Sequence, residues 1–453
     1  MLINKYLGIT ELPNQAKSLF QTFLFIQLVS SFLMEMSSTF YILNAIDHIG
    51  FALTGVVTSV LLLTQMILDY PSGSLGDYIG QRWVLAISYG CYGLGFLVLS
   101  IAHDFPTFLL AAIVNGIGFA QSSGTLNTWL DSNYQRVSTN DSERRIYGFA
   151  RSRANTMNNL ALAASFMIGG LLSTFSTRQI VFFLQFIMAS IIIVVVMRYV
   201  KDIETDEADL TGSEVIITKS KDSYFNYIKG GFKFVFSSKT AFLFILGVAF
   251  FNVTFTIWGN LILFPLYFGY TGSDVGTSLI RTIIFLNAIP ITLYGAKISK
   301  KFTTESYPRF LWLFMFIYFP GYIILFTINP IRNTFNLFGF ISTIIIMNVS
   351  SGLIMRTAEI LRMRFMVDLV PSNYRNSVYS LIPTIASIFC IPLLPIVGQL
   401  IDQYGLTAGV IIAFGLYIIT VLFITAALKF RKSSLQEIHK DKLTKTEIRV
   451  ISS

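Results

Sequence analysis

The sequence predicts an all-α membrane protein with twelve transmembrane helices in two six-helix bundles, and three observations predict it. Of 453 residues, 54% are hydrophobic and only 13% are charged. That is too little charge to cover the surface of soluble domains of this total length. The hydrophobic residues form runs of about 20 or more, the length that a helix needs to cross ~30 Å of hydrocarbon. One long polar stretch near the middle leaves six runs on each side.

The hydrophobic runs define the predicted spans in chain order. The first run is too long for the apolar region of a signal peptide and lacks a small-residue cleavage site, so we expect it to be a span. The twelve predicted spans lie at 19–46, 51–72, 83–102, 105–132, 147–174, 178–199, 240–269, 273–296, 308–328, 335–365, 377–401 and 405–429.

Lysine and arginine are distributed very unevenly between the loops. If the N-terminus is cytoplasmic, 29 of the 33 basic residues fall in cytoplasmic segments. The outer loops then hold only Arg178 and Arg332, while Arg281 and Arg356 lie within spans. This bias follows the positive-inside rule and predicts a multi-pass plasma-membrane protein with both termini cytoplasmic. The net charge of +9 is then a consequence of topology, and we expect no nucleic-acid partner.

The polar stretch sets the predicted domain organisation. Its first part is acidic, and its last part carries Tyr224, Ile228, Phe232 and Phe236 at near-helical spacing. Such spacing is typical of a short amphipathic helix at the membrane surface, with a plain solvated linker as the alternative. The predicted parts are an N-terminal bundle (1–200), a cytoplasmic linker with an interfacial helix (201–239), a C-terminal bundle (240–430) and a cytoplasmic tail (431–453).

The loop between spans 2 and 3 carries the most specific motif of the chain. From Asp69 to Arg82 it is DYPSGSLGDYIGQR, and it resembles the signature loop of the major facilitator superfamily, Gly-x-Leu-Ala-Asp-Arg-x-Gly-Arg-Lys. Tyr78 and Gln81 depart from that pattern at positions that are usually basic. The residues that match it are Gly73, Leu75, Asp77, Gly80 and Arg82.

The resemblance implies a conformational latch at the cytoplasmic face. In that family the loop acid braces the two halves while the transporter is open to the outside, together with a second acid at the inner end of helix 4. Asp131 stands at that place in this sequence. The predicted latch is therefore Gly73, Asp77, Gly80, Arg82 and Asp131. The alternative is that this short loop carries its charges only for solvation.

Charged residues within spans are candidates for substrate binding or ion coupling, because each costs about 2.5–3.5 kcal/mol to insert. Glu35 is the only acid near the middle of a predicted span, so proton coupling is one hypothesis. A structural ion pair with Arg281 or Arg356 is the other. Arg281 is a candidate to meet an anionic substrate group, or else to pair with Asp274 or Glu35.

Gating and cavity candidates complete the predicted set. Arg356 and Glu359 are three residues apart and are expected to pair near the inner end of span 10. Together with Asp69, before the signature loop, they are the gating candidates. Interhelical hydrogen bonds are the alternative role for the polar cavity candidates. Those candidates are Asn252, Trp258, Asn158 and Asn348.

These observations favour a secondary active transporter that moves a small molecule across the plasma membrane by alternating access, with proton coupling left open. A facilitative uniporter and a transport-inactive receptor or scaffold are the alternatives. We expect no enzyme, because the spans contain no HExxH, aspartate pair or Ser/His set. The two cysteines form no CxxC and there is no GxxxxGK[ST], so no metal, cofactor or ATP drive is expected. The expected partners are a small-molecule substrate, the lipid bilayer and, if transport is coupled, protons. We expect the protein to be a monomer.

Overall fold

The computed structural model describes residues 2–122, 124–137, 141, 144–201, 233–327, 337–370 and 375–451. Within its helices, the description covers only the backbone at 70–78, 325–327, 337–338, 340–341, 375–377, 380 and 432–451. All regular structure in these ranges is helical. The predicted linker and its interfacial helix fall mostly outside them, with a helical stretch described at 233–237.

Fifteen labelled helices account for most of this part of the chain. A π-helical turn at Trp258–Ile262 joins α9 to α10, and a 3₁₀ turn at Thr304–Ser306 precedes α12. The helices are α1 (Leu2–Leu7), α2 (Asn14–Glu35), α3 (Tyr41–Ile79), α4 (Gln81–Ser100), α5 (Phe105–Ser122), α6 (Thr125–Val137), α7 (Arg145–Phe175), α8 (Arg178–Tyr199), α9 (Lys239–Ile257), α10 (Leu263–Thr271), α11 (Asp274–Ser299), α12 (Tyr307–Thr327), α13 (Leu337–Leu369), α14 (Arg375–Tyr404) and α15 (Leu406–Ile451).

The predicted all-α membrane fold is confirmed. Within the described residues, eleven helical stretches are long and apolar enough to cross a membrane. Nine of them coincide with predicted spans to within about seven residues, whereas the first two, Asn14–Glu35 and Tyr41–Asp69, differ by about ten residues from the boundary predicted between 19–46 and 51–72. The remaining predicted span, 308–328, coincides with α12, which has 21 residues. The helices are therefore consistent with twelve crossings.

Helix α8 shows how the sequence divides between lipid and protein. Its exposed large side chains recur at spacings of three and four residues, which places them along one helical face. Lipid-facing surface is as apolar as the interior, so the exposed stripe carries no charge. The opposite face is buried and includes Gln185, whose side-chain amide donates to the Leu33 carbonyl. The exposed stripe consists of Ile180, Phe183, Ile187, Ile191 and Val194.

The chain forms two compact units. The first comprises Met1–Ile216, Asn260–Leu286 and Ile391–Gln403. In it α4 packs on α5 and α8, α3 on α5, and α2 on α6, α7 and α8. The second comprises Ile217–Gly259, Asn287–Cys390 and Tyr404–Ser453. In it α15 packs on α9 and α12, and α12 packs on α13.

The first predicted span is broken. It was expected to run through 19–46, but α2 ends at Glu35 and helical structure resumes at Tyr41. We call Met36–Phe40 the α2 break. A second interruption follows at Gly50, whose φ of 74° and ψ of 175° fit no helix and suit a residue without a Cβ. The true turn towards the next crossing is therefore at Gly50.

Helix α7 approaches the α2 break too closely for any side chain at one position. A Cβ added to Gly169 would collide with the carbonyl oxygen of Met36. Gly169 thus permits α7 to lie directly against the interrupted backbone of the first span.

The Gly169→Ala variant should be destabilised, because the added methyl meets backbone that cannot rotate away. Overpacking of this kind costs about 1–3 kcal/mol. Gly148→Ala is the matched control, since it lies on the same helix and nothing lies within 4 Å of its added Cβ. We expect the midpoint of thermal unfolding in detergent to fall for Gly169→Ala and to hold or rise for Gly148→Ala. Equal midpoints would contradict the close contact.

Candidate functional site

An ion pair lies at the α2 break, within the first unit. Glu35 is the last residue of α2, and its Oε2 lies 3.1 Å from Nη2 of Arg281 on α11. The other terminal nitrogen of Arg281, Nη1, donates to Ser38 Oγ at 2.5 Å and to Thr39 Oγ1 at 3.4 Å. Arg281 therefore binds both the carboxylate before the break and the hydroxyls within it.

Aromatic rings surround the cationic end of this pair. The guanidinium carbon of Arg281 lies 3.8 Å from the ring centroid of Phe166 and 5.0 Å from that of Phe264. Such contacts stabilise a cation that is partly removed from water. The side chains of Arg281 and Glu35 retain 23% and 35% of their exposure. Of the two, Glu35 lines the adjoining cavity.

That cavity, which we call the Glu35 cavity, has a volume of about 380 Å³ and belongs wholly to the first unit. Its hydrogen-bonding side chains are already partly linked, since Ser31 Oγ donates to Asn158 Oδ1 at 2.6 Å and Tyr92 OH lies 2.8 Å from Ser122 Oγ. Among its described lining residues Glu35 is the only ionisable side chain apart from tyrosines. The polar lining is Gln27, Ser30, Ser31, Glu35, Tyr89, Tyr92, Ser122, Asn127 and Asn158.

A second cavity lies within the second unit and has a volume of about 290 Å³. We call it the aromatic cavity. Of the predicted residues, Asn348 lines it and donates from Nδ2 to the Ile344 carbonyl at 2.8 Å. Arg356 and Glu359 also line it and are paired at 2.7 Å. Trp258 is instead buried with its ring against those of Tyr318 and Tyr322.

The sequence matches the family model described as Major Facilitator Superfamily over residues 23–388. The chain belongs to the major facilitator superfamily. The match covers most of the chain, from within α2 to within α14, and so includes both cavities. It confirms the family that the Asp69–Arg82 loop suggested. This facilitator is accordingly a multi-pass membrane protein of a transporter family.

Solved structures with the same fold extend this result. The nucleoside transporter NupG superposes with a TM-score of 0.69 over 92% of this chain and 100% of that chain, at 14% identity. A bacterial homologue of the human lysosomal transporter Spinster, in an inward-facing and unoccupied conformation, gives 0.64 over 92% and 96%, also at 14% identity. Identities this low establish the fold alone. No curated protein matches the chain.

The facilitator has a charge network that the sequence did not predict, at the end of the first unit that carries the Gly50 turn. We call this the Gly50 end. Arg178 Nε and Nη2 each donate to one carboxylate oxygen of Asp274 at 2.8 Å, and Nη1 donates to Asp47 at 2.6 Å. Ser173 also donates to Asp274. The two-pronged contact suits the fixed fork of a guanidinium, and it joins α8 to α11.

A further carboxylate, that of Asp402, forms hydrogen bonds at the Gly50 end. Asp402, near the end of α14, accepts from the backbone N–H groups of Phe51 at 3.0 Å and Ala52 at 2.8 Å. Those groups begin the helical part of α3 after Gly50, where the helix dipole favours a negative charge. Asp402 thus ties α14 to α3. The sequence signals that could have identified this network are the positions of Asp47 and Asp402 near Gly50 and Gly405, and of Arg178 as one of two basic residues in the predicted outer loops.

The predicted latch lies at the opposite end of α3 and is described only in part. Only the backbone is described at Gly73 and Asp77, and Gly80 forms the turn before α4. Asp131 pairs with Arg144 at 2.9 Å. Arg82 lies against Trp83, and Asp69 lies near the end of α3. The latch stays a prediction.

Asp141, in the α6–α7 connection, holds the start of α7. Its carboxylate accepts from Tyr134 OH at 2.8 Å and from the backbone N–H groups of Tyr147 at 3.0 Å and Ile146 at 3.3 Å. Burial raises the pKa of Asp141, but these hydrogen bonds outweigh it and hold the pKa below its usual value.

Removing Arg178 should open the Gly50 end, because Asp274 would remain as a buried carboxylate without its partner. Breaking a buried pair costs about 3–5 kcal/mol. The reporter is Ser59→Cys, introduced after replacing Cys91 and Cys390, since Ser59 is 5% exposed and bonded to the Ile391 carbonyl. We expect a membrane-impermeant thiol reagent to label it at least tenfold faster in Arg178→Gln.

The matched control for Arg178 is Arg198→Gln, an exposed arginine at the other end of α8. Its labelling rate should equal that of the parent. Arg178→Lys, which keeps the charge but loses the fork, should fall between the two. Equal labelling in Arg178→Gln and Arg198→Gln would show that the network does not hold this end.

The Asp141 contacts should make stability depend on acid. Folding lowers the pKa of Asp141, so its ionised form stabilises the folded state at any pH above the unfolded-state pKa of about 3.9. This stabilisation is lost as the pH falls through the folded-state pKa. Near pH 7, Asp141→Asn should therefore lower the free energy of unfolding by about 1 kcal/mol. The variant should then unfold at a lower temperature than the parent. The difference should shrink between about pH 5 and pH 3. A difference independent of pH would contradict the assignment.

Proposed function

We propose that this facilitator is a secondary active transporter that moves a small molecule by alternating access and uses the Glu35–Arg281 pair as its coupling element. The observation that carries the proposal is the position of the pair. It joins two helices at a break in the first span and borders a polar cavity. Broken helices that present charged groups beside a cavity are a recurrent way to build transport sites.

The contacts of Arg281 suggest how coupling works. A proton taken up by Glu35 removes the charge that holds Nη2, while Nη1 still binds Ser38 and Thr39 within the break. Short turn hydrogen bonds, such as Ser38 N–H to the Glu35 carbonyl at 3.2 Å, hold the break in place of a continuous helix, so a change at Glu35 is passed to the path of the first span. An anionic substrate group that displaces Glu35 from Arg281 would have the same effect.

The charge network at the Gly50 end supports the alternating-access part of the proposal. We assign this conformation to the state in which the substrate path is shut at the Gly50 end by Arg178 and Asp402. The opposite state would be held by the predicted latch of Asp77, Arg82 and Asp131. In this proposal the Gly50 end faces the outside of the cell, so both termini are cytoplasmic. The proposed membrane is the plasma membrane, and the proposed working form is a monomer.

Transport in proteoliposomes with an imposed pH gradient tests the proposal. The radiolabelled panel should include uridine, because one structural neighbour is a nucleoside transporter, together with glucose and an aromatic carboxylate. For a transported compound, Glu35→Gln should lower the gradient-driven rate at least tenfold, because the amide cannot take up the proton. Glu305→Gln, an exposed acid in the 3₁₀ turn, is the matched control and should leave the rate unchanged.

The double variant Glu35→Gln/Arg281→Gln separates coupling from a purely structural ion pair. A structural pair would let the double variant recover the rate, since neither charge is then unpaired. A coupling carboxylate would leave it slow. If the transport rate of the parent does not depend on the pH gradient, the protein is instead a facilitative uniporter. A parent that transports no compound, but binds one, would be a receptor or scaffold.

A further inference from the structure

The aromatic cavity of the second unit combines two kinds of wall. One is made of ring faces from α9 and α12, and the other is made of charged side chains from α13. Its volume of about 290 Å³ lies at the small end of the range for ligand pockets. That size admits one or two fused rings with a short substituent. The residues that define these walls are Phe251, Phe255 and Phe314, and Arg356, Glu359 and Arg362.

The charged wall carries more positive than negative charge. Glu359 Oε2 lies 2.7 Å from Nη1 of Arg356, and its Oε1 lies 3.6 Å from Nη2 of Arg362. One carboxylate is thus shared by two guanidiniums, and its contact with Arg362 is too long for a hydrogen bond. Among the described lining residues one positive charge is left in excess. A ligand that carries a negative charge would balance this excess charge.

The ring wall lies beside that charge, with Phe251 and Phe255 half-buried and Phe314 buried. Phe251 and Phe255 have ring centroids 4.7 Å apart, and Phe314 stacks on Tyr318 at 4.7 Å with an interplanar angle of 20°. The guanidinium carbon of Arg362 lies 5.7 Å from the Phe251 ring centroid. A flat ring gains most from such a surface, since aromatic pairs bury large areas and prefer offset or edge contacts.

We propose that the aromatic cavity binds a small aromatic anion, with its ring against Phe251, Phe255 and Phe314 and its acidic group against Arg356 and Arg362. A carboxylate is the group that matches a guanidinium in two-pronged fashion. The use of this site in transport rests on the proposed function. The binding itself does not, so the two are tested by different measurements.

Isothermal titration calorimetry of the purified full chain in detergent tests the ligand class. The probe is 2-naphthoate, compared with 2-naphthylmethanol, which has the same ring but no charge, and with hexanoate, which has the charge but no ring. We expect 2-naphthoate to bind at least tenfold more tightly than either. Equal affinity for 2-naphthylmethanol would overturn the anion assignment, equal affinity for hexanoate would overturn the ring assignment, and no binding would overturn the site.

Two substitutions on the charged wall have opposite expected effects. Arg362→Gln should weaken 2-naphthoate at least tenfold, because it removes the excess charge. Glu359→Gln should strengthen it several-fold, because the protein's own carboxylate no longer competes for the guanidiniums. Neither should change the affinity for 2-naphthylmethanol by more than about twofold. A loss of 2-naphthoate affinity in Glu359→Gln, with an unchanged thermal midpoint, would overturn the competition on which the proposal depends.

The matched control is Arg309→Gln, an exposed arginine on α12 that does not line the cavity. Its affinity for 2-naphthoate should equal that of the parent. Phe314→Leu should weaken both naphthyl compounds while leaving hexanoate unchanged. Binding without uptake into proteoliposomes would leave the site intact and count against the transport function. Uptake of 2-naphthoate at the same rate in the parent and in Arg362→Gln would support the transport function and count against the aromatic cavity as the binding site.

Discussion

An ionised side chain within a membrane must be paired, hydrated or surrounded by aromatic faces, and this constraint organises the functional parts of the protein. Arg281 meets it with Glu35, two hydroxyls and two rings, and Arg178 meets it with Asp274 and Asp47. Each pair joins helices that are distant in sequence. The same contacts that lower the cost of a charge therefore decide which helices are held together and which can separate.

Interruptions of regular helix coincide with these charged sites. The α2 break follows Glu35 directly, and the π-helical turn at Trp258–Ile262 lies close in sequence to Phe264, which faces Arg281. A break frees backbone and hydroxyl groups that a regular helix would keep for itself. It also lowers the cost of local movement. In the proposed function, substrate binding and backbone movement would therefore involve the same few residues.

The described contacts at the two ends of the first unit share a carboxylate at a helix start but differ in their ion pairs. At the Gly50 end, a bidentate arginine and a carboxylate at a helix start tie helices together. At the other end, Asp131 forms an exposed pair with Arg144, and Asp141 holds the start of α7. Exposed pairs contribute little to stability. Of these two ion pairs, the buried Arg178–Asp274 pair is therefore the stronger, and it lies at the Gly50 end.

The sequence by itself determined the fold class, the approximate position of each span and the family. Runs of about 20 apolar residues can satisfy their backbone in lipid only as helices, and the spacing around Gly80 and Arg82 carried the resemblance. It also identified Glu35 and Arg281 as unusual, because a charge in a span is visible without coordinates. It left the partner of Arg281 open between Asp274 and Glu35.

Only the tertiary structure decided those partners. Arg281 and Glu35 are 246 positions apart, and Arg178 and Asp274 are 96 apart, so no local pattern encodes either contact. The α2 break was also not predicted, since Met36–Phe40 lies within one long run that hydropathy assigns to a span, although three of its five residues carry hydroxyl groups. The structure shows the interruption where α7 packs against it at Gly169. Hydropathy records whether a segment belongs in lipid. The helices that pack against a segment decide which of its residues form contacts and where its helix is interrupted.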